Sequence, residues 1–527
     1  MDKKKALTHT ITGFLIIAFL SFFGSGVIIS PFYGEINFID EGQFGGWIAH
    51  MLKGEHLYED IYAAYGPLYI YPFYLLSKLF GPSVFLIRIV LIVFNVFLAV
   101  FIAWGIIRKL RLAWYFQLFT LAMLLIVPGY TMRQGTGLLT ILLYVYALEK
   151  RAVGWNFLPG MTLAISYLIS TEIGIFTSII ILLFVFYQFV VAKNIFDVFK
   201  RSLVMFIGLS IVFFLFYWWS ASEGWFWPYI STISDDLRTY SSIDLPNGMN
   251  FPNPLVLYPR SFFFLPWVKF LVSKEMLLYW LFLFYIIFFF YLLAAIILRR
   301  KQKNTPLIFA ISLFGFLLSM ILVGRSGHFP FTLSPLFILF AYFLDLLVKK
   351  WKKTQSYGEK ITSTVLVTLI LLFSLRILLI YRPHFIKLLD VPQAVLSKKN
   401  NPSYIGNVFI SSSQKKDIQT MQNFVWTNTK PTDTIFFLGN EPMMYLLVNR
   451  DNPSRFDLPE VANTLEKRLE LLNALQKDKT EYIIYDTKSW DVDGVSNMQR
   501  LPEVMKYIRS SYEERTLGSY IIYSRKN

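Results

Sequence analysis

Long hydrophobic runs alternate along this chain with short polar segments that are mostly basic. Each run is about 20 residues or longer, for example ITGFLIIAFLSFFGSGVIIS, SVFLIRIVLIVFNVFLAVFIAWGII and EMLLYWLFLFYIIFFFYLLAAIIL. A helix of that length, at about 1.5 Å per residue, crosses a hydrocarbon core roughly 30 Å thick. We expect about eleven spans, near residues 11–30, 83–107, 112–128, 134–148, 155–170, 173–192, 203–222, 276–298, 306–323, 331–348 and 361–381.

The composition agrees with a polytopic α-helical membrane protein. The 527 residues are 55% hydrophobic and 16% charged, with a mean hydropathy of +0.50. The absence of cysteine excludes disulfides, thiolate metal sites and cysteine nucleophiles. The run that follows the basic start MDKKK has no small-residue cleavage site after it, so we expect it to remain as the first span.

The net charge of +16 has a topological explanation. If the spans alternate from an inside N-terminus, the inside segments hold twenty Lys and Arg, whereas the three short outside loops hold two. No basic stripe with interleaved aromatics is found in a soluble segment, so no nucleic-acid partner is expected. The long segments 31–82 and 223–275, and everything after about residue 382, are then expected outside the cytoplasmic membrane.

The chain after residue 400 has a different pattern. Alternating apolar runs (IGNVFISS, DTIFFLGN, EYIIYDT and GSYIIYS) are interspersed with helical patterns such as VANTLEKRLELLNALQK. This predicts a small extracytoplasmic α/β domain at 400–527, joined by a linker at 383–399 to a transmembrane domain at 1–382.

The first outer segment concentrates the candidate chemistry. Asp40 and Glu41 precede QFGGWIAHMLKG, whose apolar positions predict a helix in the membrane interface with Gly54 as its C-cap. Asp40 is either the N-cap of this helix, in a loose capping box with Gln43, or part of a catalytic carboxylate pair. In such a pair one carboxylate is a general base toward an acceptor hydroxyl, and the other holds the acceptor or a divalent cation.

A second interfacial helix is expected after Gly66-Pro67 and up to Phe80, because this apolar stretch is too short to span. Asp60 either faces a pocket between the two helices or is a solvated turn residue. Arg88 could bind a phosphate or pair with Asp60.

Cationic side chains at the outer face could hold a phosphate group, since negative charge grows on a phosphate that leaves. The candidates are Arg88, Arg133, Arg325 and His328, each of which could instead be an interfacial ion pair. Glu172 either organises this site, through a metal, or caps a helix, and Asp235 and Asp236 are expected to be solvated.

The order of these residues resembles the first-loop pattern of GT-C fold glycosyltransferases, in the bacterial branch related to protein O-mannosyltransferases and lipid A aminoarabinose transferases. The pattern is Asp40-Glu41, Gly54, Tyr58-x-Asp60, Gly66-Pro67-Leu68, Phe80-Gly81-x-Ser83 and Arg88. The stretches FFLGNEPMMYLLVNRDNPSRF (436–456) and GRSGHFPFTLSP (324–335) are similar to further parts of those proteins. Thr171 and Glu172 stand where that family often has a lysine, so the phosphate contacts depart from its pattern.

The resemblance implies a multi-pass glycosyltransferase of the bacterial inner membrane that acts in cell envelope biogenesis. It would move a monosaccharide, with inversion, from a polyprenyl-phosphate donor to a lipid, glycan or protein acceptor, with Asp40 as catalytic base and Glu41 beside it. Tyr58, Asp60, Arg88, Arg133, Glu172, Arg325 and His328 would bind substrate. No cofactor is certain, and a divalent metal on Asp40, Glu41 or Glu172 stays open. The alternatives are a lipid or glycan flippase or transporter, and an outer-face glycan polymerase or ligase.

Overall fold

The computed structural model describes residues 12–13, 31–32, 34–127, 129–150, 152–191, 194–239, 270, 273–297, 304–320, 326–381, 401–491 and 495–526. The chain forms two compact units. The first contains residues 1–30, 92–215 and 249–388, and the second contains residues 31–91, 216–248 and 389–527. Their boundaries differ from the sequence-based division at residues 382 and 400, which stays a prediction.

The first unit is helical throughout its described residues. Its helices, in whole or in part, are Leu98–Leu110, Trp114–Ile126, Met132–Glu149, Phe157–Ile169, Thr171–Val191, Ile195–Ser222, Lys274–Ile297, Thr305–Ser319, Leu333–Lys353 and Tyr357–Tyr381, with short 3-10 turns at Val153–Asn156 and Ser326–Thr332. Each predicted span after the first coincides with a helix, since apolar runs of this length have no other way to satisfy their backbone in lipid. The predicted span at 11–30 lies outside the described residues except for two positions.

Among the described residues, five helices are long and apolar enough to cross a membrane. They are Val84–Leu110, Thr171–Val191, Ile195–Ser222, Phe329–Lys353 and Tyr357–Ile380. The first of these is continuous through a π-helical segment, Leu91–Phe97. Shorter apolar helices such as Trp114–Ile126 and Thr305–Ser319 accompany them in the described chain.

Close helix packing in the first unit depends on glycine. Gly160 of the Phe157–Ile169 helix lies against the carbonyl oxygen of Met205, and Gly208 lies against the carbonyl oxygen of Phe157. A methyl group at either glycine would collide with backbone of the other helix. Small residues at such crossings let two helices approach in the way that membrane helix pairs do.

The second unit combines helices with a four-stranded sheet. Its helices are Asp40–Leu52, Pro67–Phe80, Val84–Val90, Phe226–Thr239, Ser412–Asn428, Met443–Val448, Leu465–Asp478, Asn497–Arg500 and Pro502–Ser511. The strands are β1 (Ile435–Phe437), β2 (Tyr482–Asp486), β3 (Tyr512–Leu517) and β4 (Tyr520–Arg525), in the order β1-β2-β4-β3. Strands β1 and β2 are parallel, and the other two pairs are antiparallel.

The sheet corrects two sequence-based expectations. Residues 405–412 form no strand, although they alternate, and β3 was not predicted. Strand β3 has the sequence YEERTL, and its middle four residues are exposed, so it lacks the hydrophobic signature of a half-buried strand.

Segments far apart in sequence build this second unit together. The Gln414 side chain donates to the Ile36 carbonyl oxygen (3.0 Å) and accepts from the Ile36 N–H (2.9 Å). Phe409 donates its N–H to the carbonyl oxygen of Phe32, 2.7 Å away. Residues 31–91 and the chain after residue 400 therefore share one fold.

The two helices expected in the membrane interface differ from each other. Pro67–Phe80 is a helix as predicted, and Leu75, Leu79 and Phe80 at its end are exposed. The Asp40–Leu52 helix instead buries ten of its thirteen residues inside the protein. The prediction that this helix lies in the interface plane is wrong, because Met443 and its neighbours pack against its glycine face.

Prediction for the glycine crossing. Gly160→Ala should lower the free energy of unfolding by about 1–3 kcal/mol, because backbone cannot move aside as a flexible side chain can. Thermal unfolding of the detergent-solubilised protein measures this change. Gly154→Ala is the matched control, since nothing lies within 4 Å of an added methyl group there. Equal unfolding temperatures for both variants would contradict the packing described here.

Candidate functional site

Asp40 is exposed in the first turn of the Asp40–Leu52 helix, and it is not the N-cap that the sequence suggested. The N-cap position is Ile39, which makes no side-chain cap, and Asn37 does the capping instead. The Asn37 Oδ1 atom accepts from the N–H groups of Ile39 (3.0 Å) and Asp40 (2.9 Å), while its amide nitrogen donates to Asp40 Oδ2 (2.8 Å). Asn37 thus holds one oxygen of the exposed Asp40 carboxylate.

Glu41, next to it, points the opposite way into the protein. Its side chain and that of Arg88 are both 0% exposed, and Arg88 Nε donates to Glu41 Oε2 at 3.2 Å. Burial raises the pKa of Glu41 to about 7, although Arg88 acts in the other direction. Arg88 also donates to the backbone carbonyl oxygens of Gly34 (3.1 Å) and Glu35 (2.9 Å).

This pair changes the expected roles of both residues. A fully buried Glu41 offers no surface to an acceptor, and the Arg88 guanidinium is turned toward Glu41 and the 34–35 backbone rather than toward Asp60. The pair fastens the turn that carries Asp40 to the beginning of the Val84–Leu110 helix. Both side chains therefore position Asp40 in this structure.

Tyr58 and Asp60 belong to a tight turn. Asp60 is exposed and accepts from the His56 N–H at 2.9 Å. Of the two alternatives for Asp60, the structure therefore agrees with the solvated turn residue and not with the pocket residue. Tyr58 is buried at a positive φ of 71°, and its hydroxyl donates to the Tyr65 carbonyl oxygen at 2.7 Å. Burial raises the pKa of Tyr58 well above its usual value. Among the described contacts, neither Tyr58 nor Asp60 touches Asp40.

The other predicted phosphate-binding residues lie in the first unit. Arg133 forms an ion pair with Glu172 and donates from Nε to Ser170 Oγ at 3.3 Å. The capping box at the start of the Met132–Glu149 helix, made by Thr131 and Gln134, fixes the backbone beside Arg133. Arg325 and the side chain of His328 lie outside the described residues.

The expectation that Asp236 is a solvated loop charge is wrong, because this carboxylate has two partners in the second unit. It accepts from the Tyr62 hydroxyl at 2.5 Å and from Lys467 Nζ at 3.3 Å. The Lys467 ammonium group also lies over the Tyr62 ring, 4.7 Å from its centre.

Sequence reasoning missed a buried histidine between two carboxylates. His50 Nε2 lies 3.0 Å from Asp457 Oδ1, and its Nδ1 lies 3.0 Å from Glu55 Oε2. Burial opposes protonation, but the negative charges of Asp457 and Glu55 and the hydrogen bond with Asp457 outweigh it and raise the pKa of His50 to about 10. The only sequence signal was a histidine inside an otherwise apolar helix, which gave no hint of a partner more than 400 residues away.

A small pocket opens beside this histidine. It is lined by Gln43, Trp47, Tyr62, Ala64, Asp457, Leu458 and Val461. Asp457 Oδ1 accepts from Asn452 Nδ2 at 2.9 Å, whereas its Oδ2 is buried without a hydrogen-bond partner among the described residues. Gln43 and Trp47 follow Asp40 at positions i+3 and i+7, on one face of the same helix.

No family model matches the chain, and no curated protein matches it. Among solved structures, the archaeal oligosaccharyltransferase AglB from Archaeoglobus fulgidus, in complex with an inhibitory peptide and a dolichol-phosphate, is similar with a TM-score of 0.49 and 12% identity. This match covers 100% of this chain and 75% of that one.

ArnT from Cupriavidus metallidurans in the apo state is similar with a TM-score of 0.46 and 11% identity, over 98% of both chains.

Prediction for the buried pair. At a pH above 7, where Glu41 is ionised, Glu41→Ala should lower the free energy of unfolding by about 3–5 kcal/mol, because it leaves the Arg88 charge buried without its carboxylate. The double variant Glu41→Ala/Arg88→Met should cost clearly less than the sum of the two single changes. Denaturant unfolding of the unchanged protein, Glu41→Ala, Arg88→Met and the double variant gives the coupling free energy between the two side chains. Strict additivity would show that the two side chains do not stabilise each other.

Prediction for the pH dependence. A folded pKa of about 7 for Glu41, above its usual 4.5, means that the folded state retains a proton that the unfolded state loses. The stability that Glu41 contributes is therefore fully present below pH 4.5 and is lost as the pH rises through 7. Thermal unfolding between pH 4.5 and 8 should show a shallower decline for Glu41→Gln than for the unchanged protein. Parallel curves would show that Glu41 does not titrate in this range.

Proposed function

We propose that the protein is a membrane glycosyltransferase that moves a monosaccharide from a polyprenyl-phosphate donor to an acceptor hydroxyl at the outer face of the bacterial cytoplasmic membrane. The supporting observation is the placement of Asp40. Its turn is fastened by the buried Glu41–Arg88 pair to the start of Val84–Leu110, a helix of 27 residues that is apolar enough to cross a membrane. An exposed carboxylate is thereby held near the end of a membrane-length helix, where a lipid phosphate group would lie.

In the proposed reaction Asp40 is the general base. The acceptor hydroxyl gives its proton to the Asp40 carboxylate while the hydroxyl oxygen forms a bond to the anomeric carbon. The bond from that carbon to the phosphate oxygen breaks, and the polyprenyl phosphate leaves with the bonding electrons. Attack from the face opposite the phosphate inverts the anomeric carbon.

The pocket lined by Gln43, Trp47 and Asp457 is the proposed place for the acceptor hydroxyl. Gln43 follows Asp40 by about one helical turn and offers both a donor and an acceptor. Asp457 Oδ2, which is buried without a partner in the described chain, can accept from a hydroxyl group. A bound hydroxyl would satisfy this oxygen, which is costly to bury unpaired.

Arg133, Arg325 and His328 stay sequence-based predictions for phosphate binding. Arg133 is already positioned by Ser170 and Glu172, and its planar guanidinium can bind two phosphate oxygens. A phosphate bound by Arg133 would compete with Glu172 for the guanidinium group. A flippase or transporter forms no glycosidic bond and would not need Asp40 as a base, whereas an outer-face polymerase or ligase would also need one.

Prediction for the base. Asp40→Asn should lower the rate of sugar transfer by about 10²–10⁴-fold, because the amide cannot accept the acceptor's proton. The measurement is transfer from a radiolabelled polyprenyl-phosphate sugar to endogenous acceptors in membranes. Glu59→Gln is the matched control, since Glu59 is exposed in the same loop and should leave transfer unchanged.

Transfer by Asp40→Asn at the parent rate would remove Asp40 from the mechanism. Movement of the labelled lipid across the membrane without a new glycosidic bond would favour the transporter alternative.

A further inference from the structure

Three potential metal ligands meet at the end of the Asp40–Leu52 helix. His50 is near the last turn of that helix, Glu55 is in the loop that follows, and Asp451 follows the Met443–Val448 helix. One ligand atom from each of the three side chains lies within 4.8 Å of the other two. His50 is buried, whereas Glu55 and Asp451 are half-buried, so the cluster is open to solvent on one side.

From this arrangement we propose that His50, Glu55 and Asp451 bind one divalent transition-metal ion, separate from the proposed glycosyl-transfer site. One imidazole nitrogen and two carboxylate oxygens are a ligand set that suits Zn²⁺ or Mn²⁺. Mg²⁺ and Ca²⁺ prefer oxygen ligands alone. Three protein ligands leave a position for water on the exposed side.

The orientation of His50 supports this assignment independently of the cluster. The imidazole Nδ1 atom is buried and makes no hydrogen bond of regular geometry, although Glu55 Oε2 is 3.0 Å away. The opposite nitrogen, Nε2, faces Asp457 Oδ1 at 3.0 Å, and Asn452 holds that same oxygen at 2.9 Å. A carboxylate behind the far nitrogen is the usual arrangement of metal-binding histidines, because it fixes the tautomer that leaves the near nitrogen free for the ion.

The charges around the cluster also favour a divalent ion. Lys53 pairs with Asp451, so the cluster with its neighbours contains one ammonium group and the three carboxylates of Glu55, Asp451 and Asp457. With a neutral imidazole these groups sum to −2. One divalent ion balances this charge.

A bound ion would connect two parts of the second unit. His50 and Glu55 flank the end of the Asp40–Leu52 helix, and Asp451 lies in the segment that leads to Asp457 and the pocket. We expect the ion to stabilise this connection rather than to take part in sugar transfer.

The test is isothermal titration of ZnCl₂ or MnCl₂ into the chelator-treated, full-length protein, purified in detergent without a histidine tag. We expect one saturable site. His50→Ala and Glu55→Gln should each weaken its affinity by at least tenfold, and Asp457→Asn by about 10–100-fold through the orientation of His50. His56→Ala is the matched control, since this neighbouring histidine is not part of the cluster and should leave the affinity unchanged.

Thermal unfolding gives a second measure, because an ion that binds only the folded protein raises its unfolding temperature. The rise with zinc should be lost in Glu55→Gln, a half-buried position where the variant is expected to fold. The proposal is overturned if the unchanged protein shows no saturable binding, or if the cluster variants bind as tightly as His56→Ala. Neither measurement uses a sugar donor or acceptor, so a negative result leaves the proposed transferase function untouched.

Discussion

The candidate site depends on one buried ion pair, between Glu41 and Arg88. Moving two charged groups out of water is costly, and the cost is offset only where the pair and its remaining hydrogen bonds are well placed. Arg88 meets this condition with Glu41 and the carbonyl oxygens of Gly34 and Glu35. The pair thereby joins three segments at one point. They are residues 34–35, the first turn of the Asp40–Leu52 helix (the first-loop helix) and the beginning of the membrane-length helix Val84–Leu110. This junction of Glu41, Arg88 and residues 34–35 fixes the position of Asp40.

Around the junction, polar groups are used in two different ways. Glu41, Arg88 and His50 have partners inside the protein and hold segments together. The second carboxylate oxygen of Asp40 and the Oδ2 atom of Asp457 have no such structural use in the described residues. Groups of the second kind are available to a substrate, which is why the proposed reaction is assigned to Asp40 and the acceptor to the pocket that Asp457 lines.

The helices were largely predictable from the sequence because the information for them is local. Apolar runs of membrane length, and Gly66-Pro67 at the start of Pro67–Phe80, indicate where helices begin and end. The Asp40–Leu52 helix was also predicted, but the residues that pack against it were not. Gly42, Gly45 and Gly46 allow Met443 and Asp457 to approach closely, and no local pattern reports on such distant neighbours. The His50–Asp457 contact was missed for the same reason. The capping by Asn37 is local, but it was missed because it depends on where the side chain points.

The contact between His50 and Asp457 also has a consequence for biosynthesis, because 407 positions separate the two residues along the chain. At roughly 5–20 residues per second, the ribosome needs about 20–80 s to make the intervening stretch. During that interval the histidine lacks Asp457 and Tyr445, whereas Phe44 already has Tyr69 and Phe73 as neighbours. Until then the first-loop helix stays partly exposed or is shielded by other factors. The last quarter of the polypeptide completes the second unit, whose first part is synthesised long before.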